Sequence, residues 1–187
     1  MTLDDIFTDF PIIETEHLRL REIQFSDADT LHEAFADDDV MYYFGAMPHT
    51  ARAETVNMIR QMHGWYARRV AIRWAITRKG EDELLGTCGF HQFDKGFYRA
   101  EIGYELRKQF WRQGIMTEAL RGLLDFGFNM LNLRRIEATV DGDNEKSKRL
   151  LHKLGFAYEG CRKERFFHRD IFWDEHHFGL LKTDYSA

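Results

Sequence analysis

The chain has 187 residues, 44% hydrophobic and 30% charged, with a formal net charge of −5, a composition that suits a globular protein able to build a core without staples. The acidic balance argues against a nucleic-acid partner, and no run approaches the roughly 18 apolar residues of a membrane span. The acidic start, Met1 to Asp5, lacks a signal-peptide profile, so the expectation is a cytoplasmic protein in which Cys88 and Cys161 are free thiols.

The alternation His17-Leu-Arg-Leu-Arg-Glu-Ile23 predicts a half-buried strand. Ser26, three residues before Asp29, predicts a helix whose apolar face is Leu31, Ala34 and Phe35, ended by Asp37-Asp-Asp39. After the aromatic connection Met41 to Pro48, Thr50 and Glu54 open a second helix through Val56, Ile59, Met62 and Tyr66. Strands follow over 72–77 and 84–90, joined across a charged turn containing Gly80, and over 100–106. A helix over 115–131 turns Leu120, Leu123, Leu124 and Phe128 toward the sheet. The rest reads as a strand over 135–140, a helix over 145–154 stopped by Gly155, and two antiparallel strands over 157–167 and 171–181. The order β-α-α-β-β-β-α-β-α-β-β, with no linker or repeat, predicts one α/β domain over 1–187 with a mixed sheet and helices on its faces.

Two corners bear chemistry. In Trp111-Arg-Gln-Gly-Ile-Met116 a strand, a glycine turn and a helix start follow one another, so that amides without intrahelical partners can point at an anion. The same pattern also serves a helix that binds nothing, and its spacing matches neither a P-loop nor a dinucleotide glycine motif. In Asp143-Asn144-Glu145-Lys146-Ser147, Asn144 follows a strand and precedes a helix. It is either a cap or a two-way hydrogen-bonding group for an amide-bearing ligand, with Ser147 one turn along. The histidines, His168 and His176-His177 among them, show no Cys/His/Asp spacing of a metal centre, and no metal is expected.

With Thr15 to Arg21, Leu85 to Phe90, Glu101 to Leu106, Phe110 to Leu120, Asn144 to Phe156 and Glu159-Gly160, the chain resembles the GNAT superfamily of acyl-CoA-dependent N-acetyltransferases over nearly its whole length. Within it, the likeness is to the ribosomal-protein-alanine (RimJ/RimL-type) branch. The family's [Gln/Arg]-x-x-Gly-x-[Gly/Ala] signature falls on residues 111–116, with Trp111 and Met116 departing from it at either end. The resemblance implies a central mixed sheet that splays, and acetyl-CoA held by Arg112, Gln113, Gly114, Ile115, Met116 and Thr117. It implies also that the backbone of Tyr104, Glu105 and Leu106 pairs with the pantetheine arm and that Asn144 and Ser147 sit beside it.

It further implies direct transfer to a primary amine, the N-terminal amine of a protein or a polyamine, amino sugar or antibiotic. A non-catalytic acyl-CoA-binding module would keep the same cleft. An amine must lose a proton before it attacks, and Glu101 is the expected base, with Glu105 as its substitute. The tyrosine that many superfamily members use as thiolate donor is replaced by Leu151, and the closer branch places Ser147 in that role. Tyr42, Tyr43, Phe44, Phe166, Phe167 and His168 are expected as walls of the acceptor pocket, as core, or as a homodimer contact.

Overall fold

The computed structural model describes residues 5–94, 96, 98–142 and 144–185. A two-residue strand, β1 (Ile13–Glu14), precedes β2 (Leu18–Glu22), where Leu18 and Leu20 point into the core as their alternation predicts. Arg21 is buried as well. Both of its terminal nitrogens donate to the Asp27 carboxylate at 2.8 Å, and its Nε donates to Asp82 at 2.7 Å. Asp27 also accepts the Gln24 amide at 2.7 Å, which fixes the entry to α1 (Ala28–Ala36).

The acid run after α1 does more than end it. The Asp37 carboxylate accepts the amides of Asp39 and Val40 at 2.8 and 3.3 Å, starting a one-turn helix, α2 (Asp38–Met41). Glu54 accepts the Thr50 and Ala51 amides at 2.6 and 3.2 Å and so caps α3 (Arg52–Ala67). Strands β3 (Ile72–Arg78), β4 (Gly86–Asp94) and β5 (Arg99–Leu106) follow. The helix expected over 115–131 is α4 (Ile115–Asp125), continued by one π turn over Phe126–Met130. There Gly127 comes so near the sheet that a Cβ would meet the Phe90 ring at 2.8 Å and Ile136 at 2.9 Å. Then come β6 (Arg135–Asp141), α5 (Glu145–Lys153), and the hairpin of β7 (Ala157–His168) and β8 (Ile171–Leu181).

The strands form one sheet in the order β1-β2-β3-β4-β5-β6-β8-β7, antiparallel except where β5 lies parallel to β6. On one face Leu120, Leu123 and Leu124 of α4 pack with Trp74, Cys88, Phe90 and Ile102. On the other, Leu31, Phe35 and Ile59 of the early helices pack with Ala75 and Leu84. Each buried Leu, Ile or Phe among them contributes about 1.5–3 kcal/mol. No helix among the described residues is long and apolar enough to cross a membrane.

One seam breaks this sheet. Among the described residues β5 and β6 pair only at Arg99–Arg135, Ala100–Ile136 and Glu101–Glu137. Beyond that point β5 stays with β4 as far as Leu106 opposite Gly86, while β6 leaves with β8 as far as Asp141 opposite Glu175. The β6-facing edge of β5 is therefore left without a strand partner from Ile102 onward, a cost in unpaired backbone groups that invites an extended ligand.

Candidate functional site

A cleft of about 930 Å³ fills the split between β5 and β6 and continues under α3, α4 and α5. Of the residues expected to act or to bind the cofactor, Glu101, Tyr104, Glu105, Leu106, Arg112, Gly114, Ile115, Met116, Thr117, Asn144 and Ser147 all line it. Gln113 does not: its side chain donates to the Gln109 carbonyl at 2.9 Å and faces solvent.

The first end of the cleft is built for an anion. Arg112 and Gly114 turn the chain with φ of 62° and 83°, a left-handed conformation that glycine adopts at no steric cost. The space a Gly114 side chain would take is open, with nothing within 4 Å. The first intrahelical bond of α4 runs from the Glu118 amide to the Gly114 carbonyl at 3.0 Å, so the amides of residues 115–117 have no acceptor in the helix. Lys146, Arg149 and Lys153, at helical spacing on α5, face the same end. These three were not singled out as ligands in the sequence, although the basic run was its available signal. Trp111 is anchored from behind: its Nε1 donates to the Leu106 carbonyl at 2.8 Å, and Lys146 Nζ lies 4.2 Å from its ring centre. The donor set and open edge suit a diphosphate joined to an amide-bearing arm.

At the middle of the cleft sits Glu101, on the last residue pair before the seam opens. It is 8% exposed and accepts a hydrogen bond from Thr139 Oγ1 at 2.6 Å. His91 Nε2 lies 3.7 Å from the same carboxylate, and burial holds this imidazole below its usual range against the opposing pull of Glu101. Glu101 and Thr139 also line a second, polar cavity of about 300 Å³ shared with Glu137, Glu175 and His177. Glu105, the alternative base, has its carboxylate taken by the Arg73 guanidinium and the Thr87 hydroxyl.

Across the seam, Asn144 lines the cleft, and its side-chain oxygen accepts the Ser147 amide at 3.1 Å and caps α5. The Ser147 hydroxyl meets the Tyr104 phenol in a hydrogen bond. Tyr104 had been expected to contribute only its backbone. Burial pushes its phenol up to about 12, so it stays protonated.

Asp141, at the end of β6, lines the cleft too. Burial, reinforced by Glu175 and then Glu101, raises its carboxyl to about 6. A folded-state value above the unfolded 3.9 means the folded protein binds the extra proton between about pH 4 and 6, so stability falls as pH rises through that window. Asp141→Asn is therefore expected to stabilise the protein above pH 6 and to flatten this slope, read by melting curves from pH 4 to 8. An unchanged slope would assign the titration to another group.

The expected acceptor walls separate into two groups. Tyr43 and Phe44 line the cleft with Met62 and Trp65. Tyr42, Phe166, Phe167 and His168 do not. Tyr42 instead packs on Trp173 at 5.4 Å, Phe166 stacks on the same indole at 6.5 Å, and Trp173 Nε1 donates to the His168 carbonyl at 2.8 Å. Arg169 joins this latch, with Nη1 2.7 Å from Asp38 and its guanidinium over the Tyr42 ring. Phe167 and Phe172 pair with each other at the exposed hairpin tip.

Cys88 is buried, and burial pushes its thiol up to about 12, which makes it inert. The hairpin does bring Cys161, Asp174 and His176 together, with ligand-capable atoms within 4.8 Å of one another, a proximity that linear spacing concealed. The Asp174 carboxylate there is already held by Lys163 Nζ at 2.7 Å and the Glu164 amide at 3.0 Å.

A family model described as "Acetyltransferase (GNAT) domain" matches residues 17–157. The chain is 37% identical to the uncharacterized N-acetyltransferase YoaA of Bacillus subtilis, over 92% of this chain and 98% of that one. It is 28% identical to the spermidine N(1)-acetyltransferase of Escherichia coli K12, over 80% and 78% of the two chains. A solved structure of a ribosomal-protein-S5-alanine acetyltransferase from Vibrio fischeri superposes with a TM-score of 0.79 at 25% identity, covering 95% of this chain and all of that one.

Proposed function

This chain belongs to the acetyltransferase (GNAT) domain family, whose members are acetyl-CoA-dependent N-acetyltransferases, and we propose that its acceptor is the N-terminal α-amine of a protein such as a ribosomal protein. The observation that carries the catalytic part is one juxtaposition. A buried carboxylate, Glu101, and a hydroxyl, Ser147, line the same cleft on opposite sides of a seam whose free strand edge leads to an anion-binding turn.

Acetyl-CoA supplies an acetyl group on a thioester, reactive toward a neutral amine. Arg112, the amides of residues 115–117 and the cations of α5 would hold its phosphates, and the Tyr104–Leu106 edge and Asn144 would align its arm. Glu101 takes the proton from the acceptor ammonium, directly or through water, with Thr139 fixing the carboxylate. For transfer, Ser147 would give its proton to the departing sulfur and recover, through water, the second proton that the attacking nitrogen loses. Ser147→Ala is expected to lower kcat about 10²-fold while leaving the acetyl-CoA Kd unchanged, measured by single-turnover kinetics and calorimetry. A wild-type rate with chemistry limiting would remove Ser147 from the reaction.

The likeness to the Vibrio fischeri enzyme supports a protein N-terminus as acceptor, and the cleft, near the upper end of ordinary ligand-site volumes, has room for a peptide end beside the cofactor arm. A second reading, a small polyamine or other amine, is favoured by Asp141 and by Glu175 beyond it, carboxylates that would draw a polycation toward Glu101, and by the likeness to the spermidine enzyme. Thiol release from acetyl-CoA, run against peptides with Ala or Ser at the N-terminus and against polyamines, amino sugars and aminoglycosides, separates the two. Saturable turnover of peptides is the expected result. Turnover confined to small amines would overturn it.

A further inference from the structure

We propose, resting on Ser147 as the proton donor to sulfur, that Tyr104 is a positioning residue for that step: its phenol donates to Ser147 Oγ and so turns the serine proton into the cleft. Tyr104 stands on β5 just past the point where β6 departs, and Ser147 on the first turn of α5 across the gap, so their bond spans the seam beside which the thioester must lie. A serine hydroxyl has one proton and two acceptor lone pairs. In a helix its proton ordinarily turns back to a carbonyl one turn earlier.

The direction of the bond follows from acidity. A phenol, with an ordinary pKa near 10, is a far better donor than an alkyl alcohol, so the tyrosine gives and the serine accepts. The upward shift of the phenol keeps that donor protonated at any working pH. Accepting a hydrogen bond polarises the serine hydroxyl and strengthens it as a donor in turn. In the transfer itself the serine proton passes to the sulfur, the second proton of the attacking nitrogen replaces it on the serine oxygen through water, and the phenol keeps its own. Per turnover of a protonated amine one proton is released, the one that Glu101 takes and returns to solvent.

A purely structural clasp would hold β5 to α5 without touching the rate of chemistry. The test is therefore a cycle of Tyr104→Phe, Ser147→Ala and the double variant, with kcat from single turnovers, acetyl-CoA Kd from calorimetry and a melting curve for each. The proposal expects Y104F to lower kcat roughly tenfold, as for the loss of one productive hydrogen bond, with Kd and melting temperature near wild type. It expects the double variant to be no slower than S147A alone. Additive losses, or a Y104F defect confined to Kd or melting temperature, would make Tyr104 a clasp and overturn the inference. An S147A enzyme with full kcat would overturn the serine assignment and this inference with it, whereas a slow S147A beside a full-rate Y104F overturns the inference alone.

Discussion

Glu101→Gln is expected to lower kcat by about 10³-fold, the middle of the range for loss of a general base, and to leave acetyl-CoA binding intact. The reason lies in what surrounds the carboxylate. It is buried, braced by Thr139, and placed where the cleft meets the polar cavity that also contains Glu137 and His177. The amide of Gln keeps the volume and can still meet Thr139, so folding is preserved, but it cannot take a proton from an ammonium. The deciding measurement is kcat against pH with calorimetric Kd for acetyl-CoA beside it. A loss that vanishes at high pH, where the acceptor is already neutral, identifies proton removal as the missing step. A variant that keeps wild-type kcat at neutral pH transfers the role to His91, whose imidazole lies 3.7 Å from the carboxylate.

The second large effect concerns stability and lies away from the cleft. Asp27→Ala strips the Arg21 guanidinium, 7% exposed, of both bonds to its buried partner, leaving it only the largely exposed Asp82 carboxylate as counter-charge, and uncaps the Gln24 amide. Breaking a buried pair from one side costs about 3–5 kcal/mol because the surviving charge has no water to return to. For a chain of this length that corresponds to a melting temperature lower by roughly 6–20 °C. Arg21→Leu with Asp27→Leu removes both charges and is expected to recover most of the loss. If the double variant melts no higher than Asp27→Ala, the pair is not the source of the stability.

Much of this architecture is legible in the residue pattern, because burial imposes the periods that the chain displays. The helical faces of Leu31, Ala34 and Phe35 and of Leu120, Leu123 and Leu124 are the faces that are buried. The added elements, β1 and α2, are too short to show a period, and α2 is started by the Asp37 side chain. Arg21 reads as an outward residue of an alternating strand until Asp27 is seen beside it. The site divides the same way. The glycine turn and the Asn144 corner are local and visible in sequence. The Tyr104–Ser147 bond, the Thr139 brace on Glu101 and the latch of Tyr42, Trp173 and Arg169 join residues distant in the chain, and no spacing announces them.

The three-pair seam between β5 and β6 has a thermodynamic consequence of its own. Two half-sheets, β1 to β5 and β6 to β7, meet through few backbone hydrogen bonds, so a ligand that docks along the free edge of β5 acts as the strand the sheet lacks. Binding to the folded state alone adds RT ln(1 + [L]/Kd) to stability, about 2.7 kcal/mol at a hundredfold excess over Kd. The cellular level of acetyl-CoA would then set how long this enzyme survives proteolysis as well as how fast it works. The expected mark is slower amide hydrogen exchange over residues 102–106 and a melting temperature that climbs with acetyl-CoA concentration; a melting temperature indifferent to it would mean the half-sheets hold without their ligand.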